Sequence, residues 1–218
     1  MIVVIQCAAS KRMDAGQLRT QDGKSILFVA NPELAPDVGT IAYARPDDES
    51  GDGQSWRQML LRYNETPTNN PLGLSKAYEL YTNDAYRRLV HRFGSDKTFI
   101  LSAGWGIISA SFLTPAYDIT FSAAAESYKR RRKNERYYDF CMLPARSEEK
   151  IVFLGGKDYL PLFCFLSSDL QCERTVFYNS SSPPIAPGCS MKRFVTTTRT
   201  NWHYECASRL LDGTLKSD

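Results

Sequence analysis

The sequence predicts an α/β fold: a mostly parallel central sheet flanked by helices, with a long loop-rich insertion after the first strand. Three observations predict it. Short apolar runs at Met1-Ile-Val-Val-Ile, Thr98 to Leu101 and Ile151 to Leu154 read as buried strands. Segments of helical period lie between such runs, the alternation that builds parallel sheets. Residues 31–75 break the rhythm with Asn31-Pro, Ala35-Pro, Arg45-Pro, Thr66-Pro and the acidic turn Asp47-Asp-Glu-Ser-Gly-Asp-Gly.

In chain order, residues 1–6 form the first strand, which leads into the small-residue loop Cys7-Ala-Ala-Ser-Lys-Arg. Ile26 to Ala30 is a second short strand. The 31–75 insertion holds one helix, with Trp56, Met59, Leu60 and Tyr63 on a shared face, and is expected to cover the site. Leu80 to Asn83 caps the next helix, where Tyr86, Leu89, Val90 and Phe93 recur at helical spacing until Gly94 stops it. The strand at Thr98 then breaks into Ser102-Ala-Gly-Trp-Gly. Residues 122–143 read as a long basic helix. The strand at Ile151 meets a second glycine turn and a second helix. Val176 to Tyr178 is a strand, 179–190 is a loop, and Phe194 to Thr198 is an edge strand. Asn201 caps a C-terminal helix closed by Gly213.

At 218 residues the chain is expected to form a single α/β domain spanning 1–218. A hydrophobic content of 43% and a charged content of 23% are those of a soluble globular protein, and a net charge of +3 is too small to name a partner. The apolar N-terminus is five residues long and lacks a basic n-region, so it reads as a strand and not a leader. No run reaches the length of a membrane span, so no membrane partner is expected. The six cysteines form no CxxC pair and read as reduced cytosolic thiols. His203-x-x-Cys206 lacks a second ligand pair, so no metal and no cofactor are expected.

Four groups of residues carry chemistry. Ser102, Gly104, Trp105, Gly106, Tyr117 and Asp118 combine a glycine turn past a strand end with two rings and a carboxylate. Either ring can stack on a flipped base, and Asp118 can stabilise a sugar cation or activate a water. The same residues also read as core, with Asp118 capping a helix. Gly155, Gly156, Lys157, Asp158 and Tyr159 form a turn suited to a phosphate, or an ordinary strand-to-helix turn. Lys129, Arg130, Arg131, Arg132, Lys133 and Arg136 lie in one octet with a single acid, giving it a charge of +5. Phosphate contacts are one use of such a run and a solvated helix face is the other. On a helix, five consecutive basics sweep the whole circumference, so one must point inward. Asn201, Trp202, His203 and Tyr204 offer an acid/base histidine, or a capped helix start that buries aromatics.

These pieces resemble the YaaA superfamily and related small bacterial domains of undefined function. The resemblance rests on Ser10 and Lys11 after the first strand, Leu80-Tyr81 at a helix start, Ile100-Leu-Ser-Ala-Gly-Trp-Gly-Ile-Ile with Pro115-Ala-Tyr-Asp118, and Gly156-Lys-Asp-Tyr159. It covers 1–11 and 78–165; Trp105 stands where the family has Tyr. It implies DNA binding or work on unusual nucleobases in a bacterial cytoplasm. The function expected from it is a DNA-binding enzyme that hydrolyses the N-glycosidic bond of a modified base, with Asp118, Asp158 and His203 as catalytic candidates. A non-catalytic DNA-binding protein and an enzyme of free nucleotides or nucleosides are the alternatives.

Overall fold

The computed structural model describes residues 1–12, 14–66 and 69–215; the expected turn at Pro67 lies outside them. In chain order the elements are β1 (Ile2–Gln6), β2 (Ser25–Phe28), β3 (Ile41–Ala44), α1 (Trp56–Glu65), β4 (Ser75–Lys76), α2 (Ala77–Leu80), α3 (Ala85–Phe93), β5 (Thr98–Ser102), β6 (Gly106–Ser109), β7 (Leu113–Thr114), β8 (Phe140–Cys141), β9 (Ile151–Leu154), α4 (Leu160–Leu166), β10 (Arg174–Tyr178), β11 (Ser190–Arg193) and α5 (Trp202–Leu211).

The expected α/β architecture is present. Seven strands form the main sheet in the order β11-β10-β9-β1-β5-β6-β8, and β5–β6 is its one antiparallel pairing. The apolar runs explain the middle of that order. Ile2, Val3, Val4 and Ile5 are at most 3% exposed, and Ile151 to Leu154 are fully covered. Strands apolar at every position can only sit where both faces are packed. Each such side chain contributes about 1.5–3 kcal/mol on burial. Two-stranded pairs β2–β3 and β4–β7 lie outside the main sheet.

The helix ends follow their local chemistry. Ser55 and Gln58 form a reciprocal capping box at the start of α1. Asn83 Oδ1 accepts from Ala85 N at 2.9 Å ahead of α3, and Gly94, at φ +90°, returns its N–H to Val90 O. On α1 the buried residues are Trp56, Arg57 and Leu60, so a charged residue replaces Met59 and Tyr63 on the expected inward face.

Two expected elements do not form as read. The 122–143 segment is not a helix; its one helical turn is a 3-10 turn at Ser127–Lys129. Long-range hydrogen bonds hold it extended: Ala30 N and Asn31 N donate to Tyr128 O, Asn31 Nδ2 donates to Ser127 O and Arg130 O, and Arg131 N donates to Thr120 O. An extended path also disposes of consecutive basics better than a helix does. Side chains alternate, so Arg131 turns inward while Arg130 and Arg132 stay exposed. The last strand is Ser190–Arg193 and not Phe194 to Thr198. The Thr196 and Thr198 hydroxyls donate to Glu205 on α5, which draws that stretch off the sheet edge.

Candidate functional site

The chain leaves β1 toward β5 on one side and leaves β9 toward β10 on the other, although β1 and β9 are neighbours. Loops departing in opposite directions open a crevice beyond the carboxyl ends of such a pair. A cavity of about 770 Å³ lies there, lined by residues 6–10, Thr82, Asn83, Thr120, Ser122, 155–160, 176–180, Pro184 and 199–204.

Both loops at this crevice are tied to one another. Gln6, the last residue of β1, accepts on Oε1 from Gly156 N at 2.6 Å. A side chain on Gly156 would meet only that Gln6 oxygen, so the glycine presents bare backbone to the cavity. Below the loops, Cys7 Sγ and Tyr159 OH share a buried hydrogen bond of 3.3 Å. Burial holds the Tyr159 phenol well above its ordinary pKa, with the neighbouring Cys7 adding to the rise. Asp158 is the one carboxylate among the described lining residues. Its Oδ1 accepts from Lys133 Nζ at 2.5 Å, and its Oδ2 has no partner among the described residues. The backbone N–H groups of Ala8, Ala9, Ser10, Lys157, Trp202 and His203 likewise donate to no described residue. His203 is 2% exposed, its Nε2 has no hydrogen-bond partner, and burial alone lowers its pKa to about 4, so it is neutral at physiological pH. Asn201 precedes α5 in the left-handed region at φ +59°, and its side chain does not cap the helix.

Of the residues singled out from the sequence, Ser10, Gly155, Gly156, Lys157, Asp158, Tyr159, Asn201, Trp202, His203 and Tyr204 line this cavity. Lys11, Ser102, Gly104, Trp105, Gly106, Tyr117 and Asp118 do not. The first glycine turn is core. Ser102 Oγ accepts from Gly104 N and Trp105 N at 3.1 Å each and donates to Tyr117 OH at 2.8 Å. Tyr117 OH in turn meets Tyr81 OH at 2.7 Å. Trp105 is fully buried against Phe28, and Tyr117 is 2% exposed, so neither ring is open to a base. Gly106, at φ +86°, runs so close to Phe140 that any Cβ would strike its backbone.

Two buried arginines hold the carbonyls of this turn. Arg57 donates to Gly104 O at 2.9 Å and Trp105 O at 3.1 Å while pairing with Asp47 at 2.5 Å. Arg131 donates to Ala103 O at 2.8 Å and forms a two-pronged pair with Asp139 at 2.6 and 2.9 Å, both side chains 1% exposed. The insertion therefore packs over the first glycine turn, and none of 31–75 lines the cavity. Arg45, within the insertion expected to cover the site, pairs with Glu33 and Asp48.

Asp118 pairs with Lys129 at 2.8 Å and lies outside the cavity lining. Lys129 is held protonated well above its usual pKa by hydrogen bonds to Asp118 and then Glu126. Lys11 Nζ lies 4.3 Å from the Tyr117 ring centre and makes no ion pair among the described residues; burial lowers its pKa. The basic octet is largely engaged within the protein. Lys129, Arg131 and Lys133 hold carboxylates, Arg136 stacks 4.1 Å from the Phe165 ring centre, and Arg130 donates to Ala123 O. Arg132 extends to solvent.

Sequence reasoning passed over Gln6, Cys7, Thr120, Tyr178 and Arg199 as cavity residues. The ends of β1 and β10 were visible as apolar runs, and residues just past such ends were the available signal. Nothing in the sequence marked Arg57 as buried.

Among the described residues, no group of three or more His, Cys, Asp or Glu is placed to hold a metal, and no helix is long and apolar enough to cross a membrane. No protein-family model, no curated protein and no solved structure matches the chain.

Proposed function

We propose that the protein is an enzyme that hydrolyses an N-glycosidic bond in a nucleoside or nucleotide bound at the β1/β9 crevice. The observation that carries this reading is the position of Asp158. A single carboxylate, with one oxygen unpartnered, stands in a cavity large enough for such a ligand and lined by Tyr178, Trp202 and Tyr204. Hydrolysis breaks the bond from the sugar C1′ to the base nitrogen. A water oxygen adds to C1′, and the proton it releases ends on the departing base. Asp158 Oδ2 takes that proton from the water or faces the sugar cation that precedes attack. His203 is neutral and closes the cavity wall as a buried ring behind Asn201 and Tyr204. The unpartnered backbone N–H groups and Lys157 suit a ligand that carries negative charge.

The resemblance to the YaaA superfamily points to the same chemical territory, and its Gly156-Lys-Asp-Tyr159 segment falls on the cavity. A free nucleoside or nucleotide has more support than a base within DNA, because most of the octet is engaged with the protein itself. Arg130 and Arg132, both exposed, are what favours the DNA form.

The test is release of free base, followed by chromatography, from a panel of natural and modified nucleosides and nucleotides. A parallel arm probes DNA carrying the same bases for abasic sites. Asp158→Asn should lower base release about 10²–10⁴-fold while the fold is retained. Base release undiminished in Asp158→Asn, or none from any substrate, overturns the proposal; abasic sites without release from free nucleosides favour the DNA form.

A further inference from the structure

We propose that the crevice takes a nucleoside monophosphate in preference to the free nucleoside, and that the side-chain amide of Gln6 sets that preference. The base and sugar are those of the proposed hydrolysis, on which this preference rests; the phosphate is the group that anchors them.

Gln6 ends β1, the middle strand of the main sheet, with β5 on one side and β9 on the other. Its main-chain oxygen accepts from Tyr86 OH at 2.8 Å. Its side chain reaches the loop after β9, where Oε1 accepts from Gly156 N at 2.6 Å. A main-chain N–H can only donate, so the amide has one orientation: oxygen toward Gly156, Nε2 away from it. Nε2 has no partner among the described residues and is not one of the sealed polar atoms. Ile2 to Ile5 and the neighbouring strands are covered, so the open space beside Gln6 is the cavity whose wall it forms.

The groups around that amide are of one kind. Ala8 N, Ala9 N, Ser10 N and Lys157 N donate to no described residue. Lys157 and Arg199 are the exposed cations of the lining. The one lining carboxylate, Asp158, is matched by Lys133. A neutral hydroxyl would leave most of these donors without an acceptor, whereas a phosphate brings close to two negative charges and three strong acceptor oxygens. Gly156 leaves room for it, since a Cβ there would meet only Gln6 Oε1, at 3.5 Å. Gly155 is different: its Cβ would strike the Phe153 ring, so that glycine serves packing. The rings of Tyr178, Trp202 and Tyr204 come from β10 and α5, so the ring-lined part of the cavity and its donor-rich part are built by different elements. A site with donors committed in this way rejects an analogue that lacks the matching acceptor.

The test titrates the intact protein with ribose 5-phosphate and with ribose by calorimetry. Neither probe carries a base, so the outcome is independent of catalysis. The expected result is that ribose 5-phosphate binds at least about tenfold more tightly than ribose, with inorganic phosphate competing. Gln6→Glu keeps an oxygen for Gly156 N and exchanges the two amide donors for a second carboxylate oxygen. It should weaken ribose 5-phosphate about 10–100-fold, with little change for ribose. In the unmutated protein the Gln6 Nε2 protons, followed by nitrogen-15 NMR, should shift with ribose 5-phosphate and not with ribose, which decides the matter even if Gln6→Glu folds poorly. Four results overturn the proposal: no binding of ribose 5-phosphate at about 10 mM, equal affinity for the two sugars, undiminished affinity in Gln6→Glu, or unmoved Gln6 protons. Failure of the hydrolysis itself looks different. Phosphate-dependent binding without base release from any nucleotide supports the phosphate site and removes only the hydrolysis. Base release at equal KM from nucleosides and their monophosphates upholds the hydrolysis and overturns the preference.

Discussion

Arg131→Met should destabilise the fold severely, whereas Arg130→Glu and Arg132→Glu should leave it almost unchanged. Arg131 makes a two-pronged pair with Asp139 at 2.6 and 2.9 Å, with both side chains 1% exposed, and also donates to Ala103 O and Glu135 O. Removing it strands a buried carboxylate and two carbonyls. Breaking a buried pair from one side costs about 3–5 kcal/mol, because the remaining charge loses its partner without regaining water. For a chain of this length, that lowers the melting temperature by about 6–20 °C. The two neighbours reach solvent, so their substitution should stay within about 0.5 kcal/mol. Urea unfolding followed by tryptophan fluorescence gives the comparison directly. If Arg131→Met lost less than about 1 kcal/mol, or if all three variants lost equal amounts, the extended alternating path of this segment would be the wrong account of it.

Acid should destabilise the protein through His203. Its folded pKa, about 4, lies below its ordinary 6.5 because burial disfavours the charged ring. The contribution is therefore complete above pH 6.5 and is lost as pH falls toward 4, where the unfolded chain takes up a proton that the folded one refuses. Between pH 7 and 5 the loss is about 2 kcal/mol, read as a melting temperature that falls about 4–8 °C further than in His203→Phe; parallel pH profiles would contradict it. Gly106→Ala adds a Cβ at φ +86° against the Phe140 backbone. It should cost about 2–5 kcal/mol in chemical denaturation, and a neutral result would mean that β6 and β8 are not in close register. Tyr117→Phe leaves the Ser102 and Tyr81 hydroxyls short of a partner and should cost about 1–3 kcal/mol by the same measurement, with no change at the crevice.

The sheet was legible because its central strands are apolar at every position. Burial on both faces is the one environment that tolerates such runs, so β1, β5 and β9 were readable without any partner being known. The second glycine turn was legible for a related reason: it immediately follows β9, and a strand end that borders a switch point faces a crevice. The first turn misled because Ser102-Ala-Gly-Trp-Gly has the same local character. What distinguishes it is remote in sequence. β6 returns antiparallel beside β5, and two arginines from other segments occupy its carbonyls. Local pattern carries no record of such partners. The basic octet failed for the same reason. Its charge was visible, but the carboxylates Asp118, Asp139 and Asp158 that absorb it lie outside the run.

Arg57 turns the 31–75 segment from an appendage into a structural member. It alone brings that segment's charge to the Gly104 and Trp105 carbonyls, and Asp47 from the same segment neutralises it. A shortened protein made by excising those residues would leave the Gly104 carbonyl dry and unfilled at the heart of the molecule, with Trp105 O held by Phe140 N alone. Any trimming of this chain for engineering must therefore graft in a replacement cation, or rebuild the bend it braces.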